Sequence, residues 1–303
     1  MDAKEVVREF IHPEDDRARW QLETIPGFSA AVKAFLKVGV ERLVHGTSMA
    51  EKIRLGTSQL PDLHGRLRPL CERLGIAEPE FYLEMNPVPN AYTTGNTRCF
   101  LTVTSGLVEY LDQDEFDAVL AHECGHIACR HVLYHTMAGL LLQGAALSGL
   151  ASMFTMPMQL GLLYWQRRSE LSADRAAAAA ALGAPKPVVE TMIRLAGGPK
   201  SITGSVNVDA YAAQADTYDE MLGSTWDTML QGMAVMGRSH PFAAVRVRET
   251  RNWAGGPAFE RLAAALVENE RARRCPACNA FTETTWRFCQ SCGAPINQGK
   301  GSA

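Results

Sequence analysis

The chain has 303 residues with a formal charge of −3, and 47% of them are hydrophobic against 21% charged. That is globular composition, long enough for one large domain or two ordinary ones, which excludes a disordered or fibrous chain. With acidic and basic residues nearly balanced, no global field draws in phosphate backbones or anionic lipid, so nucleic acid is not an expected partner.

The opening segment, residues 1–20, mixes both charge signs and has no apolar stretch followed by a small-residue cleavage site, which argues against a cleaved export signal. Residues 26–74 place apolar positions such as Val32, Phe35, Leu36, Val40 and Leu43 at helical spacing and carry no chemical motif. Residues 1–74 read as a helical region packing on the body of the chain. Glu80 to Met85 and Arg98 to Thr104 are rich in β-branched and aromatic residues and are separated by a turn-forming segment, predicting two or three short strands.

A helix is predicted from Asp112 or Asp114, where Asp112 and Glu115 have capping-box spacing, through to His131. It carries His122-Glu123-Cys124-Gly125-His126. Two histidines four apart on an α-helix lie about 40° apart around the axis, so both imidazoles can reach one zinc ion. Glu123 stands beside them, placed to take a proton from zinc-activated water and return it to a leaving amine. Gly125 costs some helix stability. A third histidine six residues past His126 would mark another class of zinc peptidase, but that position is Val132. His131 lies about 180° around the helix from His122, and His135 more than two turns beyond His126. Both read as core or surface histidines, and Cys124 and Cys129 as small packing residues.

Residues 132–166 contain no Asp, Glu, Lys or Arg. The proposed ligands flank this stretch and must meet on one side of any bilayer, which excludes a single crossing. Two crossings need roughly 40 residues plus a turn, so a helical hairpin is expected, with peripheral membrane contact through 138–164 left open. A second helix beginning before Glu170 and ending near Gly183 places Glu170 and Asp174 four apart on one face. One carboxylate can bind zinc and the other orient a ligand histidine. Its alanine run, 176–181, reads as plain helix. Further helices are expected around Val188 to Leu195 and over Ala258 to Arg274, and the methionines between 221 and 236 read as core packing.

Cys275-Pro276-Ala277-Cys278 and Cys289-Gln290-Ser291-Cys292 form two C-x-x-C pairs separated by ten residues. Four thiolates so spaced suit tetrahedral structural zinc, and a closed four-cysteine site folds its module rather than catalysing. With the other four cysteines scattered, the pattern is that of a reducing, cytoplasmic compartment. The ribbon could take a protein partner.

The H-E-x-G-H segment, followed about forty residues later by Glu170-Leu171-Ser172-Ala173-Asp174-Arg175, resembles the HtpX-like peptidases of metallopeptidase family forty-eight, relatives of the CAAX prenyl proteases. Asn90-Ala91-Tyr92 and Ser239-His240-Pro241 with Arg246 resemble further segments of that family, the likeness covering roughly 75–250. It implies an α+β, predominantly helical, gluzincin-type domain with a small sheet, completed by the C-terminal zinc ribbon. It implies His122, His126 and Glu170 on zinc, Glu123 as general base, Asp174 beside a ligand histidine, and Arg246 paired with Asp174 or Glu170. His240 becomes a candidate for polarising the scissile carbonyl, and Asn90, Ala91 and Tyr92 for an exposed strand edge that pairs with an extended peptide. The transmembrane helices that many members carry before the active site are missing here.

The organisation so predicted is a helical region over 1–74, a metallopeptidase domain over 75–254, a helical connector over 255–274, a zinc ribbon over 275–293 and a disordered tail over 294–303. The expected activity is zinc-dependent endopeptidase action on protein or peptide substrates, with one catalytic and one structural zinc. A non-catalytic peptidase fold acting as a chaperone or binding protein through the ribbon is the competing reading. A CAAX-processing enzyme is the weakest, for want of the membrane spans.

Overall fold

The computed structural model describes residues 1–142, 154–221, 242–282 and 286–296. Among them fifteen α-helices surround one four-stranded sheet, so the expected predominantly helical α+β fold is what the chain adopts. His240, the methionines from 222 to 236 and the tip of the apolar stretch, 143–153, lie outside the described residues. No helix among the described residues is long and apolar enough to cross a membrane.

The first four helices are α1 (Ala3–Phe10), α2 (Pro13–Glu23), α3 (Phe28–Lys37) and α4 (Val40–Glu51). Helix α2 starts where His12 Nδ1 accepts the backbone N–H of Glu14, with Pro13 in the first turn and Glu14, Asp15 and Asp16 at the positive end of the helix dipole. After β1 (Ile53–Arg54), α5 (Pro61–Gly65) and α6 (Leu67–Leu74) come the other strands: β2 (Glu80–Glu84), β3 (Ala91–Gly95) and β4 (Cys99–Thr104). The strand order is β1-β2-β4-β3, with β2 and β4 parallel and the other pairs antiparallel, which leaves β3 as a terminal strand. Along β3, Ala91, Thr93 and Gly95 are buried while Tyr92 and Thr94 alternate to the opposite face.

Helices α7 (Ser105–Tyr110) and α8 (Gln113–Ala128) come next. The capping box at the start of α8 forms as its spacing predicts, Glu115 N–H donating to Asp112 at 3.1 Å and Asp112 N–H to Glu115 at 2.9 Å. Helix α8 does not run on to His131. It stops at Ala128 because Arg130 adopts a left-handed conformation, φ 59°. Arg130 N–H then donates to the Ile127 carbonyl at 3.0 Å and His131 N–H to the His126 carbonyl at 2.9 Å, the two bonds of a Schellman motif. That motif folds the chain back and sets His131 over His126.

Beyond α9 (Val132–Leu142) lies α10 (Met156–Ala180), a 25-residue helix that packs most extensively against α8 and α2. One core gathers α6, α8, the sheet and the alanines of α10; a second gathers α2, α3, α9 and the first half of α10 around Trp165. Ala176 to Ala180 are wholly buried. Their small side chains admit neighbouring helices on every side, so the run is a packing surface rather than featureless helix. Completing the body are α11 (Lys186–Gly197), α12 (Lys200–Thr203), α13 (Val208–Met221), α14 (Ala243–Ala254) and α15 (Pro257–Ala272), which leads to the cysteine-rich end.

Helices α8 and α10 meet at Gly125. A Cβ there would stand 2.8 Å from Ala176 Cβ and 3.1 Å from both Cα and the carbonyl oxygen of Ala173, too close for a methyl group. Gly125→Ala gains about 1 kcal/mol of helix propensity but must push the two helices apart, and such overpacking typically costs about 1–3 kcal/mol. The expected result is a lower urea midpoint at unchanged slope, together with weaker metal binding. A raised midpoint would show that the interface yields without cost.

Candidate active site

His122 and His126 project from one face of α8 towards α10, whose Glu170 projects back between them. All three are buried. His122 Nε2 and His126 Nε2 lie 3.1 Å apart, Glu170 Oε2 is 3.5 Å from His122 Nε2, and Glu170 Oε1 is 3.4 Å from His126 Nε2. Tetrahedral zinc with nitrogen and oxygen ligands near 2.0–2.2 Å separates its ligand atoms by about 3.4 Å, so two imidazoles with a carboxylate bridging between them are a donor set of the right chemistry and reach for that ion. Charge fits as well. Glu123, Glu170 and Asp174 bring three buried carboxylates to this region and Arg246 one guanidinium, a balance that suits a divalent cation.

One turn further along α10, Asp174 Oδ1 lies 2.9 Å from His122 Nδ1. Arg246, carried by α14, donates to both Asp174 oxygens, Nε at 2.7 Å and Nη2 at 2.6 Å, and its Nη1 lies 3.2 Å from Glu170 Oε2. Burial alone would push the Asp174 carboxyl up, but Arg246 and His122 more than reverse this and hold it below the usual carboxylate range. Burial likewise opposes charge on His122, yet Asp174 and Glu170 outweigh it and carry that imidazole up to about 9. At His126 burial prevails, helped by the charge of His122, and the imidazole is lowered.

Glu123 is buried beside this cluster, and Thr93 of β3 donates its hydroxyl to Glu123 Oε2 at 2.7 Å. A cleft of about 680 Å³ opens over His122, Glu123, Asp174 and Arg246. Asn90 and Ala91 line it, together with Val119, Met192, Tyr211 and Phe242. Tyr92 is directed elsewhere: its hydroxyl donates to Glu84 and accepts from Lys52 Nζ at 2.7 Å, on the face of β3 opposite Thr93.

Thus His122, Glu123, His126, Glu170, Asp174 and Arg246 come together from three helices. Two neighbours are not expected at the site from the sequence. Thr93 is a small polar residue in a strand with no motif to mark it. His131 is wholly buried with its Nδ1 3.0 Å from His126 Nδ1, because the helical-wheel angle that set it aside ceases to apply where α8 ends. His135 also approaches, its ring centroid 4.4 Å from that of His126 and its Nε2 2.7 Å from Ser169 Oγ.

At the other end of the chain the Sγ atoms of Cys275 and Cys292 lie 3.7 Å apart and those of Cys278 and Cys289 3.6 Å. Zinc–sulfur bonds of 2.3 Å in a tetrahedron place sulfurs about 3.8 Å apart. The two knuckles repeat one geometry. In each, the residue four past the first cysteine, Asn279 or Gly293, takes a left-handed conformation and donates its N–H to that cysteine's carbonyl at 2.8 Å.

A sequence model described as Peptidase family M48 matches residues 57–254. The chain belongs to peptidase family M48. Its relatives include the plastoglobule-localized metallopeptidase 48, chloroplastic, of Arabidopsis thaliana, 36% identical over 248 residues that cover 81% of this chain and 72% of the relative. A protease HtpX homolog of Sulfurihydrogenibium sp. is 41% identical over 97 residues, 31% of this chain and 32% of that protein. One from Pelotomaculum thermopropionicum is 34% identical over 119 residues, 39% and 40% respectively. The match thus spans well under half the length of these two HtpX relatives. No solved structure matches at a significant level. Membership of M48 makes the chain a metallopeptidase, a hydrolase of protein or peptide substrates.

Arg246→Met should test the electrostatics of this M48 site. Removing the guanidinium leaves Asp174 and Glu170 buried without their compensating charge, a change that typically costs about 3–5 kcal/mol. Denaturant unfolding of the chelator-treated chain should show a loss of that order. A loss within about 0.5 kcal/mol, the usual effect of a surface substitution, would mean that the site relaxes to admit water.

Proposed function

We propose that the chain is a zinc-dependent endopeptidase acting on exposed or unfolded polypeptide, with His122, His126 and Glu170 as the metal ligands and Glu123 as the general base. The observation that carries this reading is the convergence of the two imidazole nitrogens and the Glu170 carboxylate, each nitrogen about 3.5 Å from one of its oxygens, with Glu123 beside them at the cleft. Zinc held there would supply Lewis-acid polarisation and make water nucleophilic near neutral pH.

The chain's own residues do the rest. Glu123, held by Thr93, takes the proton of the attacking water and passes it to the leaving amine. Asp174 accepts the Nδ1 proton of His122, which leaves the Nε2 lone pair available to a metal. Arg246 holds Asp174 in place and balances its charge. The substrate lies in the cleft, where Asn90 and Ala91 lead into the terminal strand β3 and an extended peptide can add backbone hydrogen bonds with little side-chain selection. Tyr92, bonded to Glu84 and Lys52, secures that strand rather than touching substrate. The four ribbon cysteines would hold a second, structural zinc, which would fold their module.

Metal content and cleavage of unfolded casein, measured together, test this. The wild type should carry about two zinc ions, one for each site. Glu123→Gln should keep them and lose at least about 10²–10⁴-fold in turnover, the usual contribution of general acid–base catalysis. Glu170→Ala should lose the catalytic zinc and retain the ribbon's. Undiminished cleavage by Glu123→Gln would sink the assignment of the base, and full metal content in Glu170→Ala would sink that of the third ligand.

A further inference from the structure

Asp15 stands on α2, well before residue 57 where the family match begins, yet it is joined to the metal-ligand candidates through one imidazole. It is 2% exposed. Its Oδ1 accepts from Trp165 Nε1 at 3.0 Å, and its Oδ2 accepts from Ser172 Oγ at 2.5 Å and lies 3.0 Å from His131 Nε2. The backbone N–H of His12 donates to Ser172 at 2.9 Å and closes the network. Trp165 and Ser172 belong to α10, the helix that carries Glu170 and Asp174. The carboxylate of α2 is therefore fixed by the same helix that faces His126.

Proton accounting gives this chain a direction. An ionised carboxylate can only accept, so the Asp15–His131 contact requires a proton on His131 Nε2. A neutral His131 then has its lone pair on Nδ1. The 3.0 Å contact between His131 Nδ1 and His126 Nδ1 needs one donor and one acceptor, so His126 Nδ1 carries the proton. The lone pair of His126 is left on Nε2, the nitrogen that faces His122 and Glu170. Asp174 imposes the same tautomer on His122 directly.

We propose that Asp15 and His131 are positioning residues, a carboxylate–imidazole relay that fixes the tautomer and ring orientation of His126 for the metal, so that helix α2 is part of the active site. This rests on the reading of His126 as a metal ligand. Ligand histidines normally give their second N–H to a carboxylate, carbonyl or water, and losing that partner costs about 10–100-fold in metal affinity or activity. Here the partner is a second histidine that is itself held by a carboxylate.

Cobalt(II) titration of the full chain reads the two metal sites separately, since thiolate-bound cobalt has intense charge-transfer absorption and cobalt bound by imidazole and carboxylate does not. His131→Leu removes the acceptor and should weaken cobalt binding at the histidine site by about 10–100-fold. His131→Gln restores an acceptor oxygen for His126 Nδ1–H and should stay within about threefold of wild type. Asp15→Asn changes no volume, but either orientation of the amide sets its NH₂ against a donor, Trp165 or His131, and about a 10-fold loss is expected. The thiolate signal should be unchanged throughout.

Wild-type cobalt affinity in folded Asp15→Asn and His131→Leu would reduce the relay to a structural link and overturn the proposal. An equal loss in His131→Gln and His131→Leu would do the same. Should His131→Leu not fold, Asp15→Asn alone decides. His126→Ala is the reference: if it leaves the histidine-site affinity intact, the ligand assignment fails rather than the relay.

Discussion

Where α8 crosses α10 there is no side chain on Gly125, and the closeness this permits sets the distance from His122 and His126 on one helix to Glu170 and Asp174 on the other. Ala173 and Ala176 supply the facing surface. A glycine in a helix interior costs about 1 kcal/mol relative to alanine, and here the return is an interhelical gap that one carboxylate bridges. The wholly buried alanines from 176 to 180 extend the same arrangement away from the site, letting α10 serve as the common wall of both cores. A candidate ligand set drawn from two helices is only as rigid as the packing between them, and the smallest residues lie nearest to it.

Close packing creates an electrostatic problem that the surrounding elements answer. Carboxylates this deeply buried are costly unless each is paired and hydrogen-bonded. Arg246 does this for Asp174 and Glu170, Arg194 for Glu115 in the first turn of α8, and the donors Trp165, Ser172 and His131 for Asp15. Each partner comes from an element distant in sequence. The polar framework that orients the site therefore also fastens α2, α11 and α14 onto the two central helices, and the position of the imidazoles depends on tertiary contacts rather than on α8 alone.

Features coded by local spacing could be read from the sequence. The capping box of Asp112 and Glu115, the four-residue interval between His122 and His126, the pairing of Glu170 with Asp174 and the two cysteine knuckles each arise from helix or turn geometry within a few residues. The strands at 80–84 and 99–104 were marked by their β-branched and aromatic content. What escaped has a shared cause. Helical spacing directs His131 away from His122, but α8 stops at Ala128, and a left-handed Arg130 is a stop that sequence signals, tuned to glycine and asparagine, do not announce. Asp15 sits in the acidic first turn of α2, where favourable interaction with the helix dipole explains its presence well enough. Only the packing of α2 on α10 separates buried Asp15 from its neighbours Glu14 and Asp16. Thr93 depends in the same way on strand register.

The place of α2 bears on what the smallest working unit of this chain is. The match to the M48 family model begins at residue 57, but the packing does not respect that limit. Trp165, wholly buried, rests against the second core, to which α2 contributes Ala18 and Leu22 and α3 contributes Phe28, Ala31 and Phe35. Without α2 and α3 the aromatic and aliphatic side chains on the first half of α10 would face water, at a cost of about 25 cal/mol for each Å² of apolar surface. The indole N–H and the Ser172 hydroxyl would lose their carboxylate acceptor at the same time. The half of α10 destabilised in this way runs without a break into Glu170 and Asp174. A family boundary drawn from sequence similarity marks where the chemistry is shared; the physical boundary of the catalytic unit lies further towards the N-terminus, at the helix that closes the second core.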